Sequence, residues 1–167
     1  CLPQHKLTIM DLGCGTGLMG TYARPYADKL LGIDMSAKML LHAKSKGLYD
    51  ELIHGDIIDK LPQFNQIDLI IAADVFTYIG DLQPILNLCS HALREDGLIA
   101  FSTEICYKKD YILQRNIRYA HSRKFINKCL DTNHFHIISI ENTILRMDNE
   151  TAVEGYILVA RKQSPNK

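Results

Sequence analysis

Met10-Asp11-Leu12-Gly13-Cys14-Gly15-Thr16-Gly17 is the stretch that decides how the rest of the chain reads. A short apolar run, residues 7–10, precedes it, and a helical pattern carrying Leu18, Met19, Tyr22 and Ala23 follows. Strand, tight glycine turn and helix start form the arrangement in which backbone N–H groups meet a nucleotide-like ligand. Gly13, Gly15 and Gly17 permit backbone angles and close approach that a side chain would obstruct. Such turns also serve plain strand-to-helix geometry, so this one takes its meaning from its surroundings. Those surroundings are acidic: Asp11 sits inside the turn, and three more acids follow at strand ends.

Working outward, the chain alternates strand and helix. Branched apolar runs at residues 7–12, 30–33, 51–54, 67–72 and 98–101 read as buried parallel strands. Ser36 can cap a helix over residues 37–46 that stops at Gly47, and Asp81 can cap another that ends before an Asp96-Gly97 turn. The alternation implies right-handed βαβ units in an α/β fold, a doubly wound, mostly parallel sheet. Residues 134–145 and 153–161 read as long strands joined by the polar stretch 146–151, an antiparallel hairpin. Residues 105–122 have weak periodicity and read as an irregular insertion.

The 167 residues suit one domain, residues 1–163, with a loose tail at 164–167. Nineteen basic and nineteen acidic residues cancel, so no global field steers the chain to nucleic acid or membrane. No apolar run approaches the roughly 18 residues of a membrane helix. Five scattered cysteines (Cys1, Cys14, Cys89, Cys106, Cys129) without C-x-x-C spacing indicate reduced thiols and a cytoplasmic setting. The first residue is cysteine, as in a fragment.

In an open α/β sheet, ligands sit beyond the carboxyl ends of the strands. Four carboxylates fall there: Asp11, Asp34, Asp56 and Asp74. Asp34, in L-G-I-D-M-S, can accept both hydroxyls of a ribose. Asp56, in H-G-D-I-I, can accept an exocyclic amine such as that of adenine, with Ile57 on the ring face. Asp11 can hold the glycine turn by accepting its N–H groups, and Asp74 opens onto the reacting group. Each also has a plainer reading as turn former or helix cap.

D-L-G-C-G-T-G, L-G-I-D-M-S, H-G-D-I and D-L-I-I-A-A-D-V together resemble the class I S-adenosylmethionine-dependent methyltransferases. The resemblance covers nearly the whole chain. It implies a seven-stranded Rossmann-like sheet of order 3-2-1-4-5-7-6 with an antiparallel C-terminal hairpin. It further implies S-adenosylmethionine as cofactor, with Gly13, Cys14, Gly15 and Gly17 near its methionine part. Asp34 and Met35 fall to the ribose, Asp56 and Ile57 to the adenine, and Ala73, Asp74 and Val75 to the amino-acid moiety and methyl exit. More narrowly, A-A-D-V-F-T-Y-I-G-D-L with R-Y-A-H-S is similar to predicted methyltransferases that follow tetratricopeptide repeats in bacterial proteins, which implies a fused or partner repeat domain. Members of the family carry one or two helices before the first strand. Six residues precede it here, so those helices lie outside this sequence or the site is open.

Two other functions would fit part of this pattern. Residues 15–20 satisfy G-x-G-x-x-G, the pattern of a nicotinamide-dependent dehydrogenase, but Asp11 before the glycines, an acid after the third strand and the terminal hairpin favour methyl transfer. A scaffold that binds the cofactor without reacting would carry the same motifs. His134 and His136 would share a strand face, yet two imidazoles lack a third ligand, so no metal is expected. The basic, aromatic segment 107–128 faces the substrate in the resembling family. Arg115 or Arg118 would clamp an anionic group bidentately, beside Tyr107 and Tyr119. For an acceptor that must lose a proton, His121 and Asp74 are the candidate bases, with Tyr78 positioning the acceptor. A small-molecule acceptor, methylated on oxygen or nitrogen, is the first expectation, with protein and nucleic acid left open.

Overall fold

The alternation of faces along the first strand sets the architecture. In the computed structural model, which describes residues 6–164, β1 (Leu7–Leu12) sends Ile9 to one side of the sheet and Met10 and Leu12 to the other. Cys1 and residues 165–167 of the expected tail lie outside the described residues. Ile9 packs with Ala23 of α1 (Leu18–Ala23) and with Ala27 and Leu30 of β2 (Ala27–Asp34). Met10 and Leu12 join a larger core beneath α4 (Gln83–Ala92) and α5 (Arg123–Thr132). A strand buried on both faces is mainly apolar, and Leu7, Ile9, Met10 and Leu12 make this one so.

The remaining elements are α2 (Ala37–Ser45), β3 (Glu51–His54), α3 (Ile57–Lys60), β4 (Ile67–Ala72) and β5 (Leu93–Ile105). After them come a short ribbon, β6 (Tyr111–Leu113) and β7 (Tyr119–His121), and the terminal pair β8 (Phe135–Asp148) and β9 (Thr151–Lys162). The core order is β3-β2-β1-β4-β5, and β9 then pairs β5 antiparallel and carries β8 on its far edge. This is the expected seven-strand order, with β9 and β8 in its last two places.

Three details differ from the sequence reading. The insertion at 105–122 is ordered as the β6–β7 ribbon, which brings the sheet to nine strands. β5 outruns β4, which pairs with it only to Phe101, and β7 takes Glu104 and Ile105 on the vacated edge, opposite β9. The ribbon therefore stands beyond the carboxyl end of β4, where a ligand would lie. Asp81 sits one residue before the N-cap of α4 and accepts the Gln83 N–H at 3.0 Å, whereas Ser36 caps α2 as expected through the Met39 N–H. His134 is not in the strand with His136: it precedes β8 in a left-handed turn, φ 60°.

The terminal hairpin turns at Asn149 and Glu150, both with positive φ, as a tight two-residue connection requires. Its pairing is interrupted between Ile144 and Arg146. A bulge of this kind re-aims the side chains around it. Leu145 is laid across Gly155 of β9, where a Cβ would stand 2.2 Å from its Cδ1. Arg146 is turned toward the carboxyl end of β5.

Candidate active site

The ends of β1, β2, β3 and β4 open into a cleft of about 670 Å³. Asp34, Met35, Asp56, Ile57 and Ile58 line one end; Asp74, Val75, Tyr78, Gly80 and Tyr119 line the other. Gly13 forms the floor between them with φ 62°, and a Cβ there would stand 2.6 Å from Val75 Cγ2. Any side chain at position 13 would enter the space that the cleft uses.

Asp34, not Asp11, holds the glycine turn. Its Oδ2 accepts the Gly15 N–H and its Oδ1 the Ser36 N–H, both at 2.8 Å. Each carboxylate oxygen has a second lone pair, so both retain capacity for a ribose diol. Asp56 combines the two readings given to it: Oδ1 accepts the Ile58 N–H at 2.8 Å as the N-cap of α3, and the carboxyl group lines the cleft beside Ile57. Asp11 and Cys14 are buried beneath the turn. Burial pushes the Asp11 carboxyl up to about 6 and the Cys14 thiol up to about 12.

The partner of Asp11 is Tyr49, whose hydroxyl donates to Oδ2 at 2.6 Å. Tyr49 comes from the segment before β3 and lies flat against Gly17, Gly20 and Gly32, where Cβ atoms would approach its ring to 3.0 Å or less. Gly20, the last glycine of the dehydrogenase-like pattern, thus serves side-chain packing inside α1. Nothing local in the sequence marks Tyr49, because its partners come from β1, β2 and α1.

At the other end of the cleft, Asp74 adopts φ 59° and its N–H donates to Ser102 Oγ at 3.0 Å. Arg118 is not a free anion clamp. Its Nη2 donates to Asp74 Oδ1, its Nε to Glu104 Oε1 at 2.9 Å, and its Nη1 to the Tyr78 hydroxyl at 3.0 Å. The guanidinium also covers the Tyr78 ring, 4.9 Å from its centroid. Glu104, buried, further accepts Gln114 Nε2 at 2.5 Å and pairs with Arg146 Nη1 at 2.8 Å. Glu104 is a fifth strand-end acid, in F-S-T-E-I, and could have been found on the same rule as the other four. Of the other expected substrate residues, Tyr119 lines the cleft, whereas Tyr107 and Arg115 line a separate depression beside the β8–β9 turn.

His121 is fully buried and does not stand free as a base. Its Nε2 faces the carbonyl oxygens of Ile79 and Gly80 at 2.9 and 3.0 Å, so it must carry the proton. Nδ1 therefore accepts from the Thr103 hydroxyl at 2.5 Å. Burial lowers its pKa and keeps the ring neutral. Its role is to tie the loop after β4 to β5 and β7. Ala73 lines a second cavity of about 430 Å³ on the α1 face of the sheet, and Asp74 lines both cavities. Among the described residues no helix is long and apolar enough to cross a membrane.

Known proteins resemble this chain in sequence and in fold. The malonyl-[acyl-carrier protein] O-methyltransferase of Hamiltonella defensa is 33% identical over 99 residues, 59% of this chain and 38% of that protein. The ubiquinone biosynthesis O-methyltransferase of Glaesserella parasuis is 29% identical over 114 residues, 63% and 48% of the two chains. The chain thus spans less than half the length of the curated relatives it matches. A crystal structure of an S-adenosylmethionine-dependent methyltransferase from Methanosarcina mazei superposes with a TM-score of 0.79 at 16% identity, covering 97% of this chain and 95% of that one. A methyltransferase domain family model matches residues 10–101, more than half of the sequence. With the glycine turn, the strand-end acids and the sheet order on one side and this match on the other, the chain belongs to the class I S-adenosylmethionine-dependent methyltransferases.

Proposed function

We propose that the chain binds S-adenosylmethionine in the cleft between Asp34 and Asp74 and methylates an oxygen of a small, anionic acceptor, a carboxylate. The residues present fit the cofactor. Asp34 keeps free lone pairs for a ribose, Asp56 with Ile57 and Ile58 offers a polar edge and an apolar wall to a base, and Gly13 leaves the floor open where a Cβ would intrude. The cofactor supplies a sulfonium methyl: an oxygen–carbon bond forms as the carbon–sulfur bond breaks and its electron pair returns to sulfur. The protein's task is to bring the two reactants into line at near-attack distance.

The observation that carries the choice of acceptor is the condition of the candidate bases. His121 is neutral with both ring nitrogens occupied, and Asp74 and Tyr78 are tied to Arg118. A carboxylate oxygen attacks without giving up a proton, so it needs none of them. The curated relatives, named as O-methyltransferases, support methylation at oxygen. Tyr78 and Tyr119 form the walls against which the acceptor lies, and Arg118 fixes Tyr78 and Asp74.

The test is the chemical stability of the product. Protein supplied with radiolabelled S-adenosylmethionine and a cell metabolite extract is expected to transfer label in a form that mild alkali releases as volatile methanol, the mark of a methyl ester. Label that survives alkali would assign the methyl to nitrogen or an ether oxygen and overturn the carboxylate.

A further inference from the structure

We infer that Tyr49 is a positioning residue of the cofactor site: wedged beneath the glycine turn, it holds Asp11 and makes the grip of the turn on the cofactor depend on the proton of that carboxyl. This inference rests on the cofactor placement proposed above. The glycines around Tyr49 define the wedge. Gly20 lies inside α1 and Gly32 inside β2, where glycine weakens a helix or a strand, and neither takes a positive φ. What they supply is space. A Cβ at position 20 would stand 2.6 Å from the Tyr49 hydroxyl oxygen, and one at position 32 would stand 3.0 Å from its ring. Gly17, the N-cap of α1, would meet the ring at 3.0 Å. The backbone on either side is fixed: Leu48 O accepts from Arg24 Nη1 at 3.1 Å, and the Asp50 N–H donates to Leu30 O at 2.9 Å. One anchored side chain thus supports the turn, the helix after it and the strand that ends in Asp34.

Asp11 lies beneath the turn, off the lining of the cleft, so it reaches the cofactor only through the turn. The Tyr49 hydroxyl donates to its Oδ2 at 2.6 Å. The other ionisable groups that act with it are Asp34 at the end of β2 and the Cys14 thiol of the turn, neither of them a cation. Its register partners, Gly32 in β2 and Ile71 in β4, are uncharged, and α1 brings the Gly20 backbone. Burial pushes Asp11, Cys14 and Tyr49 all upward, and of these three only Asp11, at about 6, changes charge near neutrality. A ligand seated on the turn excludes water from the groups beneath it, which penalises the charged carboxylate further. Binding therefore favours protonated Asp11, and affinity falls as pH rises through the folded value. Tyr49 opposes this shift, because its hydrogen bond goes to the charged form.

S-adenosylhomocysteine is the probe, titrated by calorimetry into the protein between pH 5 and pH 7.5. Wild type is expected to bind about tenfold more weakly at the upper end than at the lower, with proton uptake on binding near pH 6. Asp11→Asn is expected to bind with one affinity throughout. Tyr49→Phe, which keeps the ring and removes the hydroxyl, is expected to match wild type at pH 5 and to move the midpoint of the profile up by about one pH unit. Tyr49→Ala, which empties the wedge, is expected to lose tenfold or more at every pH. If Tyr49→Ala does not fold, Tyr49→Phe decides alone. A wild-type affinity that is level or rises with pH, a Tyr49→Phe profile with the wild-type midpoint, or full affinity in Tyr49→Ala would overturn the inference. No binding by wild type at any pH would instead contradict the cofactor placement.

Discussion

Asp11 and His121 carry opposite pH dependences, each set by burial of a single group. Asp11 is raised from 3.8 to about 6, so the folded state holds its proton more tightly than the unfolded chain does. The stability it contributes is complete below pH 3.8 and is lost as pH rises through 6, on the order of 3 kcal/mol at 1.36 kcal/mol per unit. Asp11→Asn is expected to remove this loss: in thermal unfolding from pH 4 to pH 7, wild type falls relative to the variant. His121 is depressed below 6.5, so its contribution is present above that pH and disappears as pH falls through the folded value. His121→Gln should therefore lower stability at pH 7 by about 1–3 kcal/mol, through the unpaired Ile79, Gly80 and Thr103 groups, and flatten the acid limb of the melting profile. A methyl-transfer rate that kept its pH profile in that variant would agree with a positioning residue. Among single residues, the sequence disclosed the acids best, because a strand-end position follows from local pattern. It did not disclose that Asp34 holds the turn while Tyr49 serves Asp11, or that Arg118 is consumed by Glu104. Those partners lie 14 to 38 residues apart along the chain.

At the scale of elements, the glycine turn and the bulged hairpin make separable predictions. Gly13→Ala places a Cβ 2.6 Å from Val75 in a backbone with φ 62°. The expected result is a loss of S-adenosylhomocysteine affinity of tenfold or more by calorimetry. Gly155→Ala drives a Cβ to 2.2 Å from Leu145 and 2.6 Å from the Thr103 carbonyl oxygen. Overpacking of this kind costs about 1–3 kcal/mol, read as a lower denaturation midpoint. The short, mainly apolar strands β1 and β4 were legible to the residue. The β6–β7 ribbon was not. Its strands are three residues each, too short to show a period, and they exist because β5 outruns β4 and offers a free edge. The bulge at Leu145 was equally hidden, being a matter of register between two strands.

At the scale of the molecule, two cavities meet at Asp74 beneath a ribbon tied down by His121 and Arg118. The cofactor cleft draws on residues from four successive βα turns, which is why much of it could be read from the chain in order. The surroundings of Asp74 draw on β5, β7 and β8, whose meeting depends on the whole topology. The cofactor site is thus the part of the account that everything else stands on. Titration of S-adenosylhomocysteine into the wild-type protein and Asp34→Asn tests it directly. Asparagine keeps one acceptor oxygen for the turn but lacks the charge and the second acceptor that a ribose diol requires. The wild type is expected to bind with one-to-one stoichiometry, and the variant at least tenfold more weakly, about 1.4 kcal/mol. Equal affinity in the two proteins, or no binding to either, would contradict the placement of the cofactor between Asp34 and Asp74.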